Sequence, residues 1–242
     1  MMRRFLLTFA MVVCAAVSAQ AQVAVAGTPV SNGTFATGPS VMLSAVNGGG
    51  GNAIAICATW RQDAAQTITV TYGGSSTGIT VIQEGVNNGR ASALYYLLNA
   101  AGTEDIVITA SADVFRIYGT AVVLSGVNTS APITDSDETS ITGTSSTLTL
   151  TTAADEMIVD CFSRAGSSET VTIGANQTLA GSQTSGSIGI YQRSSYQDGA
   201  DGGEMSWTWT TGADAYHAAA SFAAAAVSAP RTLLLLGVGG VQ

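Results

Sequence analysis

The chain has no lysine, one histidine (His217), four prolines and three cysteines, and only 10% of its 242 residues are charged. Each shortage removes a class of function. With no lysine, and sixteen acidic residues against eight arginines, there is no basic surface to neutralise a phosphate backbone, which excludes nucleic acid as a partner. One histidine, with no Cys-x-x-Cys or second histidine beside it, builds no zinc site, and in its Ala-rich setting it reads as a structural residue. After residue 22 neither a helical period nor an apolar run long enough to cross a bilayer is found.

What is present begins with Arg3 and Arg4, an apolar stretch from Phe5 to Val17, and the triplet Ala19-Gln20-Ala21. This is the pattern of a secretory signal peptide over 1–21, cut before Gln22, and its apolar part is too short to serve as an anchor. Losing Arg3 and Arg4 moves the formal charge from −8 to −10. Such a surface suits a soluble, secreted extracellular or cell-surface protein that avoids phosphates and anionic lipids. Cys57 and Cys161 remain after cleavage. In an oxidising compartment they can be bridged, or they can be two small buried hydrophobes on separate strands; both readings stand at this point.

Short apolar or alternating runs recur between clusters of Gly, Asn, Asp and Ser, which predicts strand after strand. Strands are expected at 53–60, 66–72, 79–83, 91–98, 105–110 and 115–125, then at 146–151, 156–163, 170–173, 187–193, 204–210 and 215–223. Apolar residues are plentiful enough for a core, and the mature length suits one large sandwich. The expected fold is all-β, a jelly-roll-like antiparallel sandwich over 41–228, preceded by an extended segment (22–40) and followed by an apolar tail (229–242). The two strand series also read as two versions of one pattern. They set Cys57 opposite Cys161, Asp113 opposite Asp214 and Phe115 opposite Tyr216.

The succession ITVTYGG, GRASALYYLLNAAGTEDIVITAS, VVLSGVN, EMIVD and SWTWTTGADAYHAAASF covers most of 41–227 and resembles a family of secreted and phage-associated jelly-roll domains, similar to concanavalin A-like or laminin-G-like sandwiches. The resemblance implies architecture and an extracellular binding or assembly role. It carries over no catalytic residue.

The chemistry-bearing residues are few. Gly74-Ser75-Ser76-Thr77-Gly78 matches G-x-S-x-G, but it joins two expected strands where a nucleophile elbow needs a strand-turn-helix, and its one available base is His217. Asp135, Asp137, Glu138, Asp198, Asp201 and Glu204 sit in Gly/Ser/Thr-rich stretches and read as solvated surface before they read as a glycosidase pair. Asp198, Asp201 and Glu204, spaced around glycines, can hold a calcium ion or simply close a hairpin; no other cofactor is implied. Trp207 and Trp209 are two apart and share a strand face, with Tyr191 or Tyr196 on a neighbouring strand. They form either a glycan-binding platform or the packed face of a half-buried strand.

The C-terminus, TLLLLGVGGVQ after Pro230 and Arg231, is too short to span a membrane. It resembles the start of a PEP-CTERM sorting tail without the Pro-Glu-Pro signature or the closing basic cluster. Leu233, Leu234, Leu235 and Leu236 are an adhesive liability unless they pair with a sheet edge, their own or a neighbour's. The sequence therefore points to a non-catalytic structural or adhesive protein that partners itself by strand donation. Binding of an extracellular glycan is the alternative.

Overall fold

The computed structural model describes residues 21–32, 36–62, 65–166, 170–185 and 189–226. Most of the leader and the whole of Leu233–Leu236 lie outside the described residues. In chain order the strands are β1 (Ala24–Val25), β2 (Val30–Ser31), β3 (Ala36–Asn47), β4 (Ala53–Arg61), β5 (Ile68–Tyr72), β6 (Ile79–Asn87), β7 (Arg90–Leu98) and β8 (Thr103–Ser125). They continue with β9 (Ile133–Thr149), β10 (Met157–Ala165), β11 (Thr172–Ile173), β12 (Thr178–Ser185), β13 (Ile190–Asp198) and β14 (Glu204–Phe222). Among the described residues there is no α-helix, hence none that is long and apolar enough to cross a membrane.

Two antiparallel sheets pack as a sandwich. The first runs β1-β8-β4-β7-β6, with β2, β3 and β5 also on β8; the second runs β11-β14-β10-β13-β12, with β9 on β14. The sheets share one plan, because β3 to β8 recur in order as β9 to β14. In each, a nine-residue central strand (β4, β10) lies between a long strand (β8, β14) and a second nine-residue strand (β7, β13). Cys57 faces Leu94 and Thr120, and Cys161 faces Ser194 and Ala218. The match expected further along is shifted. Tyr118 faces Thr59 and Tyr216 faces Ser163, so Tyr118, not Phe115, is the counterpart of Tyr216. Likewise Ile117 faces Trp60 and Ala215 faces Arg164, which sets Arg116, not Asp113, in the place of Asp214.

Two expected strand pairs are single long strands. The first part of β8 (Ile106–Ala110) pairs with β5 and its second part (Arg116–Leu124) with β4, so one strand serves two layers. Between them Ser111, Ala112 and Asp113 are exposed, two of the three polar, which made the sequence read as a break. The same holds for β14, whose ladder with β9 shifts register between Thr208 and Ala213. Strands β3, β12 and the first half of β9 escaped notice because they are rich in Ser, Thr and Gly and expose one face. The segment 22–40, expected as an extended segment, is placed in the sheet. Through β1, β2 and the start of β3 it pairs with β8 of its own sheet.

The central strands are buried on both faces, which is why AIAICATW and MIVDCFSR read as near-continuous apolar runs. Ala53 and Ala55 of β4 meet Met157 and Val159 of β10 between the sheets, with Leu94, Val122, Ala220 and Phe222 around them. The opposite face of β4 (Ile54, Ile56, Ala58, Trp60) is covered by Val41, Leu43, Ile68, Val70, Ile106 and Ile108 of β3, β5 and the first part of β8. Cys57 and Cys161 are bonded at a Cα separation of 5.5 Å and join the two sheets within the buried interface. That bond fits an oxidising, extracellular compartment.

Candidate functional site

The second sheet's outer core is polar where the first sheet's is apolar. Asp160 of β10 shares a face with Ile158, Phe162 and Arg164, opposite Ser195 of β13 and Ala219 of β14. Its Oδ1 accepts hydrogen bonds from the Ser195 backbone N–H (2.6 Å) and hydroxyl (2.7 Å). Its Oδ2 accepts from Trp207 Nε1 (2.7 Å) and Gln177 Nε2 (3.5 Å) and lies 3.1 Å from His217 Nε2. On the other side of the ring, His217 Nδ1 is 2.8 Å from Ser146 Oγ. Phe162 stacks on Trp207 at 5.3 Å and meets the His217 ring edge-on at 5.8 Å.

Ser146, His217 and Asp160 thus form a hydrogen-bonded serine-histidine-aspartate series, assembled from β9, β14 and β10. Geometry of this kind can activate a nucleophile only where a substrate atom can reach the serine oxygen. Here Asp160 and His217 are 0% exposed and Ser146 is 2% exposed. The carboxylate is already occupied by the backbone, indole and hydroxyl donors that fix β13 and β14 around it. The series works as an internal clamp: several donors from separate strands converge on one buried acceptor, and such a network orients strands by penalising every alternative register. A second buried carboxylate does the same nearby. Glu156 accepts from Ser221 Oγ (2.8 Å), the Ala153 N–H (3.2 Å) and the hydroxyl of Thr134.

Of the two readings of the tryptophan strand, the burial of its indoles matches the packed face. Trp207 and Trp209 are 1% and 6% exposed, and the Trp209 Nε1–H donates to the Gly143 carbonyl (2.7 Å). Tyr191 is buried between the guanidinium groups of Arg164 (5.2 Å) and Arg193 (5.5 Å), and burial pulls Arg193 below its ordinary value. Tyr196 lies on the opposite face of β13, packed into the inter-sheet core. Indoles with this much area to hide go to the core when the strand has a dry face available.

The calcium reading fares similarly. Asp198 ends β13, Asp201 closes the 3-10 turn Gly199–Asp201 and Glu204 opens β14, all three exposed. Among the described residues no three His, Cys, Asp or Glu side chains lie close enough to hold a metal ion. The turn is held by Gln197 Nε2 donating to the Gly202 carbonyl (2.8 Å) and by the Gly202 N–H donating to the Gly199 carbonyl (3.1 Å). Asp135, Asp137 and Glu138 lie on β9 itself; Glu138 accepts from the Tyr216 hydroxyl, whose pKa is raised by burial and by that carboxylate. The Gly74–Gly78 motif is the turn between β5 and β6, closed by the Tyr72 and Ser75 backbones (2.8 and 3.0 Å). It opens no helix, so it is no nucleophile elbow.

Sequence reasoning missed Asp160. Its only signal was a carboxylate inside the apolar run of 156–163, at a position buried on both sides once the sheet forms. Compared with known proteins, the chain matches no family model, no curated protein and no solved structure.

Proposed function

We propose that this protein is a non-catalytic extracellular structural or adhesive protein that assembles through its strand edges and its C-terminal apolar segment. One observation carries the reading. Of the five large apolar side chains that stand exposed among the described residues, four lie on strands paired on one side only: Met42 on β3, Val81 and Val86 on β6, and Leu179 on β12. Soluble β-proteins usually guard such edges with lysine, proline or charge, and this chain has no lysine. These edges carry few such guards, Pro39 on β3 and Glu84 on β6, and an apolar edge of that kind favours pairing with another strand.

The long strands β8 and β14, each shared between two layers, are what a jelly-roll-like sandwich would require, and we read the topology as of that kind. The alternative, carbohydrate binding, draws no support from Trp207 and Trp209, which are core residues. The test is size-exclusion chromatography and negative-stain microscopy of residues 22–242, alongside the same protein ending at Ala229. Polymers that vanish on truncation are the expected result. Two monodisperse monomers would overturn the assembly reading.

A further inference from the structure

Besides Ser146, which it meets through His217, the Asp160 carboxylate has a second serine in direct contact, Ser195, and that hydroxyl lies against a side-chain amide. The amide belongs to Gln177. It follows the turn at Ala175 and Asn176 that joins β11 to β12, and the Gly174 N–H fixes that turn to β14 by donating to the Ser206 carbonyl (2.9 Å). The Gln177 carboxamide is held at both ends. Its Oε1 accepts from the Ser206 backbone N–H (2.8 Å), and its Nε2 donates to Ser195 Oγ (2.8 Å) and Asp160 Oδ2 (3.5 Å). Ser195 Oγ in turn donates to Asp160 Oδ1 (2.7 Å). Glycine at 174 makes room for this arrangement, because a Cβ there would stand 2.3 Å from Gln177 Oε1 and 2.4 Å from Ser206 Oγ.

The groups that an acyl transfer needs therefore meet around one carboxamide. A hydroxyl bonded to a carboxylate is an activated nucleophile, and a backbone N–H on the amide oxygen steadies the charge that builds there as the carbon is attacked. The carbon itself, Gln177 Cδ, is one amide bond of about 1.33 Å from Nε2 and so lies within about 4.1 Å of Ser195 Oγ. A shift of about 0.6 Å, with the amide plane turned toward Oγ, reaches the near-attack range of about 3–3.5 Å. Asp160 and Ser195 are 0% exposed, which keeps water from the reacting oxygen, while half-buried Gln177 leaves the departing nitrogen a way out.

We infer that Gln177 and Ser195 become joined by an ester in the folded chain. Ser195 Oγ forms a bond to Gln177 Cδ, and the Cδ–Nε2 bond breaks. The hydroxyl proton passes through the Asp160 carboxyl to Nε2, which leaves as ammonia; no oxidant, metal or other reactant is consumed. Each chain reacts once. Escape of ammonia and the dry surroundings of the ester oppose the reverse steps. The product fastens the start of β12, an edge strand paired only with β13, to β13 itself. Such a brace suits the structural role proposed above but does not depend on assembly. A glutamine against a serine is not enough by itself: Gln83 Nε2 donates to Ser136 Oγ (3.1 Å), yet among the described residues no carboxylate accepts from that hydroxyl.

The test is mass spectrometry of the mature chain, residues 22–242, unfolded, reduced and digested with trypsin. Cleavage after Arg164 and Arg193 leaves Gln177 in peptide 165–193 and Ser195 in peptide 194–231. The expected product is the two joined, lighter than their sum by one ammonia and split by mild hydroxylamine. Peptides 62–90 and 117–164, which hold Gln83 and Ser136, are expected to stay apart. The linked peptide decides, not the intact mass, because an N-terminal Gln22 also loses ammonia on cyclising. The joined product should vanish in Ser195→Ala and in Gln177→Met and fall at least tenfold in Asp160→Asn, each shown to be folded by far-ultraviolet circular dichroism. Folded wild-type protein that yields 165–193 and 194–231 separately at full mass would overturn the ester. A joined product that persists in Ser195→Ala would overturn the assigned nucleophile, and wild-type yield in Asp160→Asn would overturn the carboxylate as proton carrier.

Discussion

Gly119 and His217 occupy the same place in the two sheets: Gly119 faces Ala58 across β8 and β4, and His217 faces Phe162 across β14 and β10. Around Gly119 the core is apolar, with Leu43 and Ile108 close enough that an added Cβ would collide with Ile108. Around His217 it is a hydrogen-bonded network centred on Asp160, whose counterpart in the first sheet is Ile56. One strand plan is thus stabilised by hydrocarbon packing in one half and by converging hydrogen bonds in the other.

Asp160→Ala is therefore expected to cost about 3–5 kcal/mol, because it leaves the Trp207 indole, the Ser195 N–H and hydroxyl, and His217 buried without their acceptor. Urea unfolding measures it. A loss below about 1 kcal/mol would show that the network is not the clamp described.

All three tryptophans, Trp60, Trp207 and Trp209, are buried. Emission of the folded protein should be blue-shifted and resist iodide quenching, and Trp207→Ala should cost about 3–5 kcal/mol of stability. Red-shifted, readily quenched emission would restore the exposed platform.

The Cys57–Cys161 bond closes a segment of 104 residues, for which loop-closure entropy predicts a contribution of about 4–5 kcal/mol. The Cys57→Ala/Cys161→Ala protein should lose about that much in chemical denaturation, with its two sheets still formed by far-ultraviolet circular dichroism.

Gly85 of β6 lies directly under the Tyr216 ring, and a Cβ there would collide with it. Gly85→Ala should destabilise by about 1–3 kcal/mol, with a smaller penalty in a Tyr216→Ala background. Additive losses in the double-mutant cycle would mean that the ring moves aside freely.

Asp214 is held below the ordinary carboxylate value by hydrogen bonds from Asn88 Nδ2 (2.6 Å) and Thr142 Oγ1 (2.6 Å), with Arg90 adding attraction. A carboxyl lowered by folding contributes stability above its unfolded value, near 3.8, and loses it as pH falls through the folded value. The stability gap between wild type and Asp214→Asn should be constant above about pH 5 and narrow below 3.8. A gap that widens on acidification would reverse the sign.

Much of the fold was legible because strand alternation is local. AIAICATW, ASALYYLL and EMIVDCFS announce themselves, and the matching cysteines revealed the shared plan. The bends inside β8 and β14 were not legible, since a strand that changes layers looks locally like two strands and a loop. Nor was the candidate site, for Trp207, His217, Asp160 and Ser146 come from three separate strands, and only sheet pairing brings them within hydrogen-bonding distance.

By itself the sequence determined the all-β class, the antiparallel sheets, the acidic lysine-free surface and the pair of cysteines available to be joined. Composition and period are enough for these, because they depend on neighbours in the chain. The tertiary structure alone decided which face of the Trp207–Trp209 strand is dry, that Asp160 is an internal acceptor, and that β8 and β14 each pair with strands of two layers. Those depend on what each face meets across about 10 Å of packed sheet, a distance over which residue order carries no information.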